Sequence, residues 1–203
     1  MISVIILGAG RSERMGQTKQ TLPFGTATIL EKTIDNYAGS AAGEIIVVLG
    51  HQAEKIKEII GDKSIGIVTN PDYRQGMSTS LIAGLKKIAR GAAVMIALGD
   101  QPLIESRTIN LLIREYERHD KGIVVPIYRG KRGHPIIFSI KYKAELLSLS
   151  GDTGAREIIG RHPSDVLEVP VDTDAICIDI DTTESYEAAM GRLKKSRTRK
   201  DEG

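Results

Sequence analysis

The run Ala92-Ala93-Val94-Met95-Ile96-Ala97-Leu98 is apolar on both of its faces, and the shorter runs Ile2-Ser3-Val4-Ile5-Ile6 and Glu44-Ile45-Ile46-Val47-Val48-Leu49 are of the same kind. A strand with two apolar faces must be covered by helices on both sides, which puts it in the middle of a parallel sheet. Between these runs the apolar residues recur at helical spacing: Ile29, Leu30, Thr33, Ile34 and Tyr37, then Ile56, Ile59 and Ile60 within Ala53 to Ile60, and later a helix over Ser78 to Ile88. With Ile65 to Thr69 as a further strand, the first half is expected to be a doubly wound α/β unit.

The second half breaks that regularity. A helix over Glu105 to Arg118 is followed by strands at Gly122 to Tyr128 and His134 to Ser139, and the basic turn Arg129-Gly130-Lys131-Arg132-Gly133 between them predicts an antiparallel excursion. Helices near Tyr142 to Leu149 and Ala155 to Arg161, strands at Val166 to Val169 and Ile176 to Ile180, and a closing helix from Thr183 to Leu193 complete the expectation. The fold class is α/β, a Rossmann-like three-layer αβα arrangement with a mixed, mostly parallel sheet.

Length and composition narrow the function. A chain of 203 residues is read as one domain over residues 1–195, with a solvated, disordered basic tail over 196–203. A net charge of +2 and the absence of Trp argue against a nucleic-acid partner. The single cysteine, Cys177, lies in the apolar run Ala175 to Ile178 and reads as a small core residue, so no disulfide or zinc site is expected. No leader-like start and no apolar run long enough for a bilayer are seen, so no membrane association and a cytoplasmic location are expected.

The first strand delivers the backbone into Leu7-Gly8-Ala9-Gly10-Arg11-Ser12-Glu13-Arg14-Met15-Gly16-Gln17-Thr18-Lys19. Glycines clear the way to backbone N–H groups while Arg11, Arg14 and Lys19 add positive charge, so the loop suits a polyanion. A dinucleotide fingerprint would need glycine where Glu13 stands, and an acidic residue closing the second strand, which instead ends in Gly50-His51. A P-loop would need Lys directly after its last glycine, whereas Gln17 and Thr18 intervene. The pattern Gly-x-Gly-Arg-Ser-x-Arg-Met-Gly-x-x-Lys resembles the signature loop of the MobA-like nucleotidyltransferases, and within them that of the molybdenum cofactor cytidylyltransferases.

That resemblance implies a GT-A-like fold, its N-terminal half binding the nucleotide and its C-terminal half the acceptor, and assigns roles by position. Arg11 and Lys19 become catalytic residues, and Leu7, Gly8, Ala9 and Gly10 line a nucleotide. Asp100, in Leu98-Gly99-Asp100-Gln101-Pro102 beyond the most apolar strand, stands where open α/β sheets bind ligands, and a Mg²⁺ ion needs only one or two carboxylates there. Gly-Asp-Gln-Pro resembles the family's metal motif, which brings in Gln101, and Asp181 of Asp179-Ile180-Asp181-Thr182 matches the carboxylate that completes the metal site. Capping of the next helix is the rival reading for each aspartate. The run Gly76-Met77-Ser78-Thr79-Ser80-Leu81, preceded by Asn70, is similar to a family stretch and makes Asn70, Gly76, Ser78 and Ser80 nucleotide-site candidates. His134, after the basic turn, resembles the family's Arg-Gly-His-Pro motif on the acceptor side, with Gly151-Asp152-Thr153-Gly154-Ala155-Arg156 as a second acceptor-side element.

The activity so implied is Mg²⁺-dependent transfer of CMP from CTP to molybdenum-bound molybdopterin, with pyrophosphate released and a recipient molybdoenzyme as a further partner. Ala9 and Arg11-Ser12 follow the cytidylyl pattern and Gly8 follows neither that nor the guanylyl one. Guanylyl transfer to the same acceptor, sugar-phosphate or alditol-phosphate nucleotidyl transfer, and a non-catalytic cofactor-binding module stand as alternatives.

Overall fold

The computed structural model of the chain describes residues 1–61, 63–88, 91–152 and 154–201, with side chains through residue 195. In chain order the elements are β1 (Ile2–Gly8), β2 (Pro23–Phe24), β3 (Ala27–Thr28), α1 (Ile29–Ala38), β4 (Ile45–Leu49), α2 (Ala53–Ile60), β5 (Gly66–Thr69), α3 (Met77–Lys87), β6 (Ala93–Leu98) and α4 (Ser106–Arg118). They continue with β7 (Ile123–Tyr128), β8 (Lys131–Arg132), β9 (Ile136–Ser139), α5 (Lys143–Leu147), α6 (Arg156–Arg161), β10 (Val166–Pro170) and α7 (Thr183–Asp201).

One sheet takes strands from both halves in the order β10-β7-β9-β6-β1-β4-β5, with β8 on β7. The pairs β1–β4, β1–β6, β4–β5 and β7–β10 are parallel, whereas β9 runs antiparallel between β6 and β7. The basic turn thus does return the chain against its predecessor, Ile123 facing Phe138 and Val124 facing Ile137.

The doubly apolar strands feed two cores by alternation. Val4 and Ile6 with Val47, Leu49, Met95 and Ala97 pack under α1, α2 and α4, through Ile34, Tyr37, Ile56, Ile109 and Leu112. Ile5 with Ile46, Val48, Val94 and Ile96 packs on the other face against Leu81 and Leu85 of α3, Leu146 of α5 and Ile158 of α6. Helix α1 starts where it does because Thr28 accepts a hydrogen bond from the Glu31 N–H while Glu31 reaches back to the Thr28 N–H, a reciprocal cap.

Three expectations are corrected. The segment Ile176–Ile180 is not a strand: Asp174–Cys177 forms a single 3₁₀ turn, and the chain then crosses the carboxyl end of the sheet as a strap. Its backbone partners lie outside any ladder: His134 N–H and the Gln101 side-chain amide donate to Ile176 C=O, and Ile180 N–H donates to Asp100 C=O. Ile176 and Ile180 are buried, so the alternation was real and only the partner differed. Cys177, for the same reason, faces outward and is exposed rather than a core residue. Helix α7, expected to close at Leu193, continues to Asp201 because Lys and Arg are good helix formers; residues 202–203 lie outside the described residues.

The strap is held down by Gly133, where an added Cβ would collide with the Ile176 carbonyl. Gly133→Ala should therefore cost at least about 1 kcal/mol, seen as a fall of several degrees in Tm. Gly191→Ala, where a Cβ meets nothing within 4 Å, is the control and should be neutral or stabilising. Equal melting temperatures for the two variants would mean that the strap is not held this way.

Candidate active site

Two adjoining cavities open beyond the carboxyl ends of β1 and β6. The larger, about 560 Å³, is walled by Leu7 to Arg14, Lys19, Gln20, Gly76, Ser80, Asp100 and Asp181. The smaller, about 350 Å³, is walled by Ser78, Leu81, Ile96, Gln101, Lys131, His134 and Arg156 among others. Leu7, Met77, Leu98, Asp152 and Asp179 belong to both and form the seam.

The glycine-bearing loop is tied to itself. Ser12 takes a left-handed conformation (φ 56°), its hydroxyl accepts from the Lys19 N–H at 3.1 Å, and the buried Gln20 amide donates to Gly8 and Gly10 C=O at 3.1 Å each. This folds the loop back so that the Lys19 ammonium reaches Asp100 Oδ2, at close contact, and Asp181 Oδ1 at 2.5 Å. Arg14 joins from the exposed side, 2.7 Å from Asp181 Oδ2, while Arg11 pairs with Glu13 at 2.6 Å on the rim.

These contacts separate charge from capping. Thr182, not Asp181, accepts from the Ser185 N–H at the start of α7, and α4 begins at Ser106, well beyond Asp100. Both carboxylates are thereby left for the cavity. Burial favours a neutral lysine, but the charges and hydrogen bonds of Asp100 and Asp181 outweigh it and the Lys19 pKa rises. At Asp100, by contrast, burial dominates and raises the pKa against the pull of Lys19. At the less buried Asp181, burial is overcome by Lys19 and Arg14, and the pKa falls.

Asp100 Oδ1 is buried and has no hydrogen-bond partner, which is the condition of an oxygen left for a cation. Among the described residues no group of three or more His, Cys, Asp or Glu forms a metal cage. Two carboxylates with one free buried oxygen fit a hard divalent ion that takes its other ligands from phosphate and water.

The expected residues divide. Leu7, Gly8, Ala9, Gly10, Arg11, Lys19, Gly76, Ser80, Asp100 and Asp181 meet in the larger cavity; Ser78, Gln101 and His134 meet in the smaller. Asn70 acts one layer back, its amide donating to Thr79 and Ser80 hydroxyls at 2.9 and 3.0 Å. Gly76, at φ 114°, packs directly on the Gly151 carbonyl, and Asp152 accepts from the Met77 N–H at 2.9 Å, so the acceptor-side element closes on the start of α3. Thr153 of that element lies outside the described residues. Sequence reasoning missed Gln20, Tyr73 and Met77; only Gln20, next to the signature lysine, carried a signal in its position.

This chain belongs to the MobA-like NTP transferase family, whose domain matches residues 4–166. It is thus a nucleotidyltransferase of the MobA-like type. It is 32% identical over 194 residues to the molybdenum cofactor cytidylyltransferase of Escherichia coli (strain K12), covering 94% of this chain and 96% of that one. It is also 26% identical to the nicotine blue oxidoreductase of Paenarthrobacter nicotinovorans, over 90% of this chain and 93% of that one. The crystal structure of Rv0371c from Mycobacterium tuberculosis H37Rv matches with a TM-score of 0.85 at 31% identity, covering 94% and 97% of the two chains. A manganese complex of Rv0371c matches at 0.80, with 30% identity over 94% and 98%. Among the described residues no helix is long and apolar enough to cross a membrane.

Two measurements follow from this geometry. Burial, with the Arg156 charge adding to it and the Asp100 charge opposing it, holds His134 down at about 4. An unfolded histidine titrates near 6.5, so between those values the unfolded chain binds a proton that the folded chain refuses. The contribution of His134 should be intact above about pH 6.5 and lost as pH falls toward 4, by on the order of 3 kcal/mol at most. Urea midpoints at pH 7 and 4.5 should diverge less in His134→Gln than in the native chain, and an unchanged divergence would count against a half-buried imidazole held neutral. Lys19→Ala, in turn, leaves Asp100 and Asp181 facing each other without their ammonium. Its Tm should drop, and Mn²⁺ or Mg²⁺ should raise it more than it raises the native Tm; an equal metal response in both proteins would remove the two carboxylates from any common cation site.

Proposed function

We propose that this protein transfers a cytidylyl group from CTP to the phosphate of a molybdopterin-type acceptor, with the nucleotide in the larger cavity and the acceptor in the smaller. The observation that carries the reading is the Lys19 ammonium, buried between Asp100 and Asp181 at the base of a glycine-bearing loop, where charge for a triphosphate is concentrated. In this reading the acceptor phosphate oxygen bonds to the α-phosphorus while the α–β phosphoanhydride bond breaks and pyrophosphate leaves with the electron pair. A phosphate nucleophile is already ionised at neutral pH, so no general base is required of the chain.

Lys19 and Arg11 place positive charge on the triphosphate, and the loop backbone from Gly8 to Gly10 fixes its position. Asp100 and Asp181 would hold Mg²⁺, Asp100 through the oxygen that has no partner in the protein. When bound, such an ion neutralises phosphate charge. The likeness to the Escherichia coli cytidylyltransferase across almost the whole chain and the manganese complex of Rv0371c support the reading. Lys131 and Arg156, beside Gly133 and the neutral His134, supply a basic wall for the anionic end of the acceptor.

Ala9, buried and part of the nucleotide cavity, narrows the space beside β1. A tight apolar contact rejects a larger base by about 1 to 3 kcal/mol, so CTP should exceed GTP by roughly 10- to 200-fold in kcat/KM, and Ala9→Gly should reduce that ratio. The assay is pyrophosphate release with molybdopterin, each nucleotide and Mg²⁺, a product that an oxidoreductase or a carrier module would not make. Turnover favouring GTP would overturn the cytidylyl assignment, and no release with any nucleotide would overturn the transferase reading.

A further inference from the structure

Two residues that wall the smaller cavity each carry a buried polar atom with no partner. Ser78 is 1% exposed and Gln101 2% exposed, yet Ser78 Oγ and Gln101 Oε1 make no hydrogen bond. The orientation of the Gln101 amide is fixed by chemistry: its Nε2 donates to Asp179 Oδ1 at 2.7 Å and to Ile176 C=O at 3.3 Å, and turning the amide over would set its oxygen against two other oxygens. The unsatisfied Oε1 is therefore a fixed acceptor. Buried oxygens of this kind are normally paired, so a donor from outside the protein is the natural partner. Around them the walls are apolar, from Leu81, Ile96, Leu98 and Ile136, and Arg156 and Lys131, which carry no ion pair among the described residues, stand at the rim.

We propose that Gln101 and Ser78 read the donor edge of the acceptor's ring, with Asp179 as the positioning residue that keeps the Gln101 oxygen toward the cavity. The ligand class is a flat heterocycle that presents N–H groups along one edge and carries an anionic substituent. A pterin has that edge in its amino group and neighbouring amide N–H. The inference rests on the proposed function in placing the acceptor in this cavity, and it moves Ser78 and Gln101 from the nucleotide to the acceptor.

The test uses pterin-6-carboxylate, whose binding is followed by its own fluorescence, and alkylation of Cys177, the only cysteine, which is exposed and part of the same cavity wall. The native protein should bind the pterin, and the pterin should protect Cys177 from N-ethylmaleimide. Gln101→Met and Ser78→Ala should each weaken pterin binding by about 10-fold or more, the scale of a lost hydrogen bond that leaves its partner unpaired. The Tm rise given by CTP with Mg²⁺ should stay unchanged, which also reports that each variant is folded. Ser78→Ala removes only a hydroxyl that has no partner, so it keeps the test open if Gln101→Met folds poorly. For Asp179, Asp179→Ala should weaken pterin binding, Asp179→Asn should restore most of it, and Asp179→Ala should add nothing in the Gln101→Met background.

Undiminished pterin affinity in Gln101→Met and Ser78→Ala, with Cys177 still protected, would overturn the reading pair and leave the acceptor cavity standing. A native protein that binds no pterin and leaves Cys177 unprotected would overturn both. Loss of the CTP response with pterin binding intact would return the two residues to the nucleotide.

Discussion

A buried ammonium between two carboxylates joins three separate parts of the chain at one point. Lys19 comes from the loop after β1, Asp100 from the end of β6, and Asp181 from the strap that precedes α7. None of the three charges is easily buried alone, and each is made tolerable by the others. The fold brings them together because β1 and β6 are neighbours in the sheet and because the Ile180 N–H, bonded to the Asp100 carbonyl, sets the strap beside them. Two negative charges face Lys19, and the remaining compensation comes from Arg14, which is largely exposed. A site in that balance suits a bound cation and a polyphosphate together, which is the electrostatic basis of the proposed reaction.

The seam between the two cavities follows from the same arrangement. Leu7 and Leu98 end adjacent parallel strands, and past them the sheet has no further side chains to fill the space. On one side the gap is closed by the glycine-bearing loop, which brings polar backbone and cations. On the other it is closed by β9, the strap and the start of α6, which bring isoleucines, a neutral histidine and a basic rim. The antiparallel β9 is thus what makes the second cavity, since it inserts between β6 and β7 and carries His134 to the sheet's ligand-binding edge.

Much of this was legible in the residues. Period and apolarity determined the central strands, the helices that cover them and the return of the chain through the basic turn, because burial on one or two faces leaves a regular trace in sequence. The glycine spacing and the basic residues of Leu7 to Lys19 pointed to an anion, and the position of Asp100 after the most apolar strand pointed to the sheet's ligand-binding edge. What failed was Ile176–Ile180, whose alternation of buried and open residues is shared by a strand and by a strap lying across strand ends.

Only the tertiary structure decided which aspartate does what, and which cavity each candidate faces. The cap of α7 went to Thr182, freeing Asp181 for Lys19, and Asp179 was taken by the Gln101 amide. Ser78 and Ser80 stand two residues apart on α3 and turn to different cavities. Distances along the chain of 81 residues between Lys19 and Asp100, and 162 between Lys19 and Asp181, leave no local pattern to read. Local sequence determines which faces are apolar and where the chain turns, whereas the pairing of charges depends on which strand ends the packed sheet sets side by side.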